Sequence, residues 1–250
     1  MIVIIPDIHG EVGWVRSIRD AHPDATEFVC LGDYVDGRSR TSSTVETVRF
    51  LHEWKETDSD RLTLLTGNHD LPYWEVYPQA KQRRKISPHD LRFPCSGFSR
   101  RTAETLAKVW DENFWKGLKM AVIREGWVLS HAGIHPEVFS PENTEDWIPA
   151  VEVFAEEADS ALKNLHQTDS EHSVFAAGFA RGGFAPVGGL VWLDFQVEFS
   201  DEQPFPQIVG HTRGIEPRQK GESWCLDSGQ TSYGLLHEGG RLEIKTNESR

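Results

Sequence analysis

Three short apolar runs between Met1 and Leu65 constrain the fold most, because each is cut off by a loop carrying Gly with Asp, Asn or His. Met1–Ile5 is β-branched and never alternates with polar residues, which predicts a strand buried on both faces, as in a parallel sheet. Glu27–Leu31 and Arg61–Leu65 read as second and third strands. Gly13–His22, with Trp14, Val15 and Ile18 on one side, and Thr44–Trp54, with Val45, Val48, Leu51 and Trp54 near helical spacing, predict amphipathic helices between them. The start of the chain is therefore β-α-β-α-β. Its polar loops (Asp7-Ile8-His9-Gly10, Gly32-Asp33, Gly67-Asn68-His69-Asp70) follow the strands, where open α/β sheets bind ligands.

Beyond residue 70 the pattern changes. Residues 71–120 carry prolines, aromatics, the basic run Lys81-Gln82-Arg83-Arg84-Lys85 and a helix-like stretch over Ser99–Leu118, and read as a cap over the site. Residues 121–129 predict two short strands around a turn, leading into Ser130-His131-Ala132-Gly133. The acidic stretch 142–171 reads as a solvated helix face around Val151–Leu165. Residues 174–250 read as short strands with Gly-rich turns, with Gly189–Asp194 as a core strand and a hairpin around Gly239-Gly240. With no linker or repeat, residues 1–250 are expected to form a single domain.

Charge limits the partners. Lys and Arg total 26 against 39 Asp and Glu, a formal net charge of −13 over 250 residues. That excludes a global basic footprint, so no nucleic-acid partner is expected, and a site for phosphates needs local arginines or metal ions. The three cysteines, Cys30, Cys95 and Cys225, form no CxxC and indicate neither a disulfide framework nor a thiolate zinc site, which points to reducing cytoplasm. Cys95 reads as a small core residue. The first apolar run is too short for a signal peptide, and no stretch reaches membrane-spanning length, so no membrane partner is expected.

Five motifs carry the chemistry: Asp7-Ile8-His9-Gly10, Gly32-Asp33-Tyr34-Val35-Asp36-Gly37, Gly67-Asn68-His69-Asp70, Ser130-His131-Ala132-Gly133 and Gly210-His211-Thr212. Any one alone is weak. Together they supply carboxylate, amide and imidazole donors suited to Mn, Fe or Zn. Two such ions a few Å apart would clamp a phosphate and supply hydroxide at neutral pH.

The ordered set, spanning residues 7–212, resembles the calcineurin-like metallophosphoesterases. Gly32–Asp36 and Gly210-His211-Thr212-Arg213 resemble the serine/threonine protein phosphatase branch and its small bacterial and phage relatives, since Arg213 stands where many phosphodiesterase-type members carry a second His. The resemblance implies an α/β four-layer αββα sandwich of two mixed β-sheets, flanking helices and a mainly helical cap. It implies two divalent metal ions, foremost Mn2+, with Fe, Zn, Co or Ni as alternatives. Asp7, His9 and bridging Asp33 would hold one ion, and Asp33, Asn68, His131 and His211 the other. A metal-bridging hydroxide would attack phosphorus, with His69 as general acid beside the leaving oxygen and Asp36 raising the His69 pKa. The family's phosphate-gripping arginine after the second Asp is replaced by Gly37, leaving Arg38 and Arg181 as candidate phosphate-binding residues.

The implied activity is phosphomonoester hydrolysis on a phosphorylated protein, phosphoserine or phosphothreonine first, or on a small phosphoester. The alternatives are a dinucleoside polyphosphate or nucleotide hydrolase, a phosphodiesterase or nuclease, and a non-catalytic binding scaffold. Arg213 and the acidic charge weigh against the diesterase, and the complete ligand set against the scaffold.

Overall fold

The computed structural model describes residues 1–37, 43–166 and 172–246. The N-terminal strands β1 (Ile2–Ile5), β2 (Glu27–Cys30) and β3 (Leu62–Leu64) pair in parallel, joined by helices α1 (Val12–Ala21) and α2 (Thr44–Thr57). The last hairpin, β9 (Ser232–Leu236) and β10 (Leu242–Thr246), adds to the free edge of β1, giving the order β10-β9-β1-β2-β3. A second sheet, order β4-β5-β6-β8-β7, is built from β4 (Ala121–Arg124), β5 (Trp127–Ser130), β6 (Gln207–Val209), β7 (Arg218–Lys220) and β8 (Ser223–Cys225). The result is an α/β sandwich of two mixed five-stranded sheets with helices, as expected.

The unbroken apolar run of β1 now has a cause. Val3 and Ile5 point into a core shared with α1 and α2, while Ile2 and Ile4 join Val29, Leu129, Ile208, Leu226 and Leu236 between the two sheets. Both faces of the strand are dry, so period-2 alternation has no polar partner to show. Burying each such side chain contributes roughly 1.5–3 kcal/mol.

Residues 71–116 form four short helices: α3 (Leu71–Glu75), α4 (Tyr77–Lys81), α5 (Arg100–Val109) and α6 (Glu112–Lys116). The single helix expected over Ser99–Leu118 is two, because the Asp111 side chain caps the second by accepting from Phe114 N at 2.8 Å. Two indoles tie these helices into the main core: Trp74 Nε1 donates to Leu162 O and Trp110 Nε1 to Val48 O. The acidic stretch follows its expectation over helix α7 (Ile148–Lys163), where Glu152, Glu156 and Glu157 are exposed. Asp159 is the exception: buried, it accepts from Met120 N and pairs with Lys119.

Two expectations fail between residues 174 and 206, where strands give way to turns. Gly189–Asp194 is core but not strand. Leu190, Val191 and Leu193 are fully buried, yet the backbone closes on itself, with Trp192 N and Leu193 N both donating to Gly189 O. A short apolar run reports burial, not backbone conformation. Leu193 of this segment packs with Ala132, Val209 and Cys225, while Leu190 and Val191 join the main core. No helix among the described residues is long and apolar enough to cross a membrane.

Candidate metal centre and phosphate cleft

Each chemically active loop leaves the C-terminal end of a strand: Asp7 and His9 after β1, Asp33 and Asp36 after β2, Asn68 and His69 after β3, His131 after β5 and His211 after β6. β1–β3 run parallel in one sheet and β5–β6 in the other, and contacts of His131 with Leu31 O and of His211 with Asp7 and Asn68 bring all five loops to one end of the sandwich. Two motif glycines are required by close approach. A Cβ on Gly67 would collide with Asp33 Oδ1, and one on Gly210 with Asp7 Oδ1. The backbone is strained here as well: His9, Asp33, Asp36 and His211 have φ of 45, 53, 62 and 64°. Non-glycine residues are held there only where surrounding bonds enforce it.

Asp33 is central. Its Oδ2 lies 3.6 Å from His9 Nε2, and its Oδ1 lies 3.6 Å from His131 Nε2 and accepts from His69 N at 2.9 Å. Asp7 Oδ2 stands 3.9 Å from His9 Nε2, while its Oδ1 accepts from His211 N. Asn68 Oδ1 lies 3.1 Å from His131 Nε2 and 2.9 Å from His211 Nδ1. Arg38 lies outside the described residues. The other expected site residues converge on one cleft or sit directly beneath it.

The donor chemistry fits metal ions. His9 Nδ1 faces Val35 O at 3.0 Å and His131 Nδ1 faces Leu31 O at 2.9 Å. If each Nδ1–H donates to its carbonyl, both Nε2 lone pairs face carboxylate and amide oxygens, and acceptors gathered around acceptors call for a cation. Asp33, His131 and His211 form one cluster with ligand atoms within 4.8 Å of one another, and His9, Asp33 and His69 form another.

The electrostatics agree. Burial alone would raise the Asp33 carboxyl, but His131, His69, His9 and His211 outweigh it and hold it well below the usual carboxylate range. Burial raises Asp7 and drives His211 well below the ordinary imidazole value, so His211 stays neutral. His69 goes the other way: burial would lower it, but the Asp33 charge and the Asp36 bond push it up to about 11. His69 Nδ1 is 3.2 Å from Asp36 Oδ2, and Tyr73 donates its hydroxyl to Asp36 Oδ1 at 2.5 Å.

The cleft, about 400 Å³, is lined also by Arg181, Trp192, Arg213, Asp227 and Gln230. Arg181 is anchored: its Nη2 donates to Thr212 Oγ1 at 2.8 Å, and its Nε lies 2.8 Å from Asp194 Oδ2, an ion-pair contact without an aligned hydrogen bond.

Cys95 corrects an expectation. It is partly buried at the site rather than in the core, with Sγ 3.7 Å from Asp36 Oδ2, because Gly97 packs against the Asp36 side chain and draws its loop to the site. His135 lies outside the cleft, accepting from Glu137 N.

Sequence reasoning gave no role to Asp70, though it stands in the third motif, and did not single out Asp227. Asp70 accepts from Asp33 N, Tyr34 N and Gly67 N, stapling the β2 loop to the β3 loop. Asp227 follows β8 and lines the cleft, pushed up to about 7 by burial and Asp7. Asp227-Ser228-Gly229 repeats the pattern of an acid beside glycine after an apolar run, a signal that was readable.

A model of the calcineurin-like phosphoesterase family matches residues 1–178. Among solved structures, a cold-active protein-tyrosine phosphatase from the psychrophile Shewanella sp. is similar, with TM-score 0.60 and 15% identity over 98% of this chain and 77% of that one. A protein serine/threonine phosphatase from Saccharomyces cerevisiae is similar with TM-score 0.53 and 16% identity, over 100% of this chain and 80% of that one. At such identities the likeness is one of fold. The family match covers well over half the chain, and with it the Asp, Asn and His loops of the first three strands. The chain belongs to the calcineurin-like phosphoesterases, metal-dependent hydrolases of phosphoric esters.

Proposed function

We propose that this protein hydrolyses phosphomonoesters at a two-metal centre, on phosphorylated proteins or small phosphoesters. The observation that carries the reading is Asp33, whose two carboxylate oxygens face separate histidine nests, His9 on one side and His131 on the other. Asp7, His9 and Asp33 would hold one ion, and Asp33, Asn68, His131 and His211 the second, with Mn2+ the first candidate. When bound, the ions supply Lewis acidity and a nucleophile from water at neutral pH.

The chain's own residues do the rest. Arg181, fixed by Asp194 and Thr212, presents its remaining N–H donors to phosphate oxygens. His69, kept protonated by Asp33 and Asp36, gives its proton to the leaving oxygen. Residues 71–120 act as the insertion bordering the cleft, with Ser96 on its wall. Arg213 in the place of a second histidine favours a monoester over a diester. Phosphoserine and phosphothreonine are the first substrates of this reading because Gly32–Asp36 resembles the serine/threonine phosphatase branch, and the free cysteines support a cytoplasmic setting.

The test compares p-nitrophenyl phosphate with bis-p-nitrophenyl phosphate after chelation and Mn2+ return, with Asp33→Asn as control. Cleavage of the monoester alone, lost in the variant, is expected. Arg181→Ala should raise KM for the monoester about tenfold or more, the scale of losing one bidentate charged contact. Preference for the diester overturns the reading.

A further inference from the structure

Among the described residues, one cluster of metal-binding side chains contains sulfur. Asp36, His69 and Cys95 each place a donor atom within 4.8 Å of the other two. The clusters at the two-metal centre, His9 with Asp33 and His69 and Asp33 with His131 and His211, offer only oxygen and nitrogen. Asp36 Oδ2 joins the sulfur-containing group, 3.2 Å from His69 Nδ1 and 3.7 Å from Cys95 Sγ. A tetrahedral zinc ion, with bonds of about 2.1 Å to oxygen and nitrogen and about 2.3 Å to sulfur, holds its ligands about 3.4 Å apart for O and N and about 3.6 Å for S and O. Both pairs already stand close to those separations.

Neighbouring groups fix these atoms. Tyr73 donates to Asp36 Oδ1, which leaves Oδ2 to the imidazole and the thiol, and Ser99 N donates to the same Tyr73 oxygen. Gly97, at φ 93°, lies so close that a Cβ there would stand 3.2 Å from Asp36 Cβ, and this approach holds Cys95 over the carboxylate. Partners that orient a ligating carboxylate in this way are a regular part of metal sites. Asp36, His69 and Ser96 also line the metal cleft, so the fourth position of a tetrahedral ion is open to water from that side. The other two thiols do not compete: Cys30 and Cys225 are buried, and burial pushes both up to about 12.

We propose that Asp36, His69 and Cys95 form a third metal site, selective for thiophilic divalent cations such as Zn2+ and adjoining the two-metal centre, and that filling it stops hydrolysis. Thiolate selects Zn2+ or Cd2+, whereas Mn2+ prefers the oxygen and nitrogen donors of the centre. On binding, the Cys95 S–H and the His69 Nδ1–H bonds break, both protons pass to water, and the freed electron pairs go to the ion. The inhibition rests on the phosphomonoester reading above, in which His69 is the general acid. With a metal on Nδ1 the ring keeps one proton, on Nε2, and could deliver it only by becoming an imidazolate. That makes it a much weaker acid than the imidazolium it replaces.

The test titrates Cd2+ and, separately, Zn2+ into the Mn2+-loaded protein. Cadmium on a thiolate adds an ultraviolet charge-transfer band that the oxygen and nitrogen donors of the centre do not produce. The wild type should show this band saturating at a single equivalent, and Cys95→Ser and Cys95→Ala should both lose it. In excess Mn2+, Zn2+ should inhibit p-nitrophenyl phosphate hydrolysis. Either Cys95 variant should weaken that inhibition about tenfold or more, since losing even an outer partner of a ligand costs roughly 10–100-fold in metal affinity. A band absent from the wild type, or persisting in both variants, overturns the site. Equal zinc inhibition of wild type and variants overturns the switch, because zinc would then act by displacing Mn2+ from the centre. A Cys95-dependent band without inhibition leaves the site standing and overturns His69 as general acid. The band needs no turnover, so failure of the phosphomonoester reading leaves the metal site separately testable.

Discussion

Asp70→Asn isolates the device that holds the metal loops together. The Asp70 carboxylate takes three buried amide bonds, from Asp33 N and Gly67 N at 2.8 Å on Oδ2 and from Tyr34 N at 3.1 Å on Oδ1. Burial and the Asp33 charge push this carboxyl up to about 7, so its ionisation costs the fold stability as pH rises through that value; the measurement belongs at pH 6, where that cost is small and the variant differs mainly in its acceptors. Asparagine keeps one acceptor oxygen. Placed toward Asp33 N and Gly67 N, that oxygen retains two bonds, but the amide NH2 then faces Tyr34 N–H, donor to donor. One unsatisfied buried donor costs about 2 kcal/mol, from roughly 1–3 kcal/mol per orphaned group. For a protein of this size that lowers Tm by about 4–8 °C. Activity should fall more than stability explains, because Asp33 and Asn68 lose their common staple. The assay is thermal unfolding by circular dichroism in chelator, paired with initial rates after Mn2+ return at a temperature where both proteins are folded. A Tm within about 1 °C of wild type, against the loss of several degrees expected for a buried unsatisfied donor, would refute the stapling argument.

Adding Mn2+ to chelated wild type at about 100 times its Kd should stabilise the fold by about 2.7 kcal/mol, and Asp33→Asn should abolish most of that gain in a thermal scan. Asp36→Asn should lower kcat about a hundredfold with metal content unchanged by elemental analysis, since it removes the bond that keeps the His69 proton. Loss of metal in that variant would make Asp36 part of the metal site instead. Glu27, gripped by Arg124 Nε at 2.6 Å and Nη2 at 2.9 Å, has its carboxyl lowered as Arg124 and Thr63 outweigh burial. Its stabilisation is present above the ordinary glutamate pKa of about 4.3 and is lost as pH falls through the lower folded value, so the Tm gap between wild type and Glu27→Gln should be a few degrees at pH 7 and shrink below about pH 4.

Much of the first half of the molecule is local and therefore legible in the chain. Continuous β-branched runs, helical spacing of Val45, Val48, Leu51 and Trp54, and glycines beside Asp, Asn and His all act within a few residues of one another. They predict β-α-β-α-β and the loops that bear Asp7, Asp33 and Asn68. Asp70 was visible as a residue but not as a staple, because its three partners are amides whose positions depend on how two loops meet. Other features are long-range by construction. Leu190–Leu193 reads as strand because burial and strand pairing leave the same apolar signature. The pairing of Arg181 with Asp194 and Thr212 joins segments far apart in sequence. Their contacts exist only once the two sheets are packed. The sequence alone determined which ligand types are available and at which strand ends they stand, because hydrophobic periodicity and turn chemistry are properties of neighbours. The tertiary structure decided which atoms face one another across the cleft and what lies beside it, because those distances follow from sheet pairing and core packing.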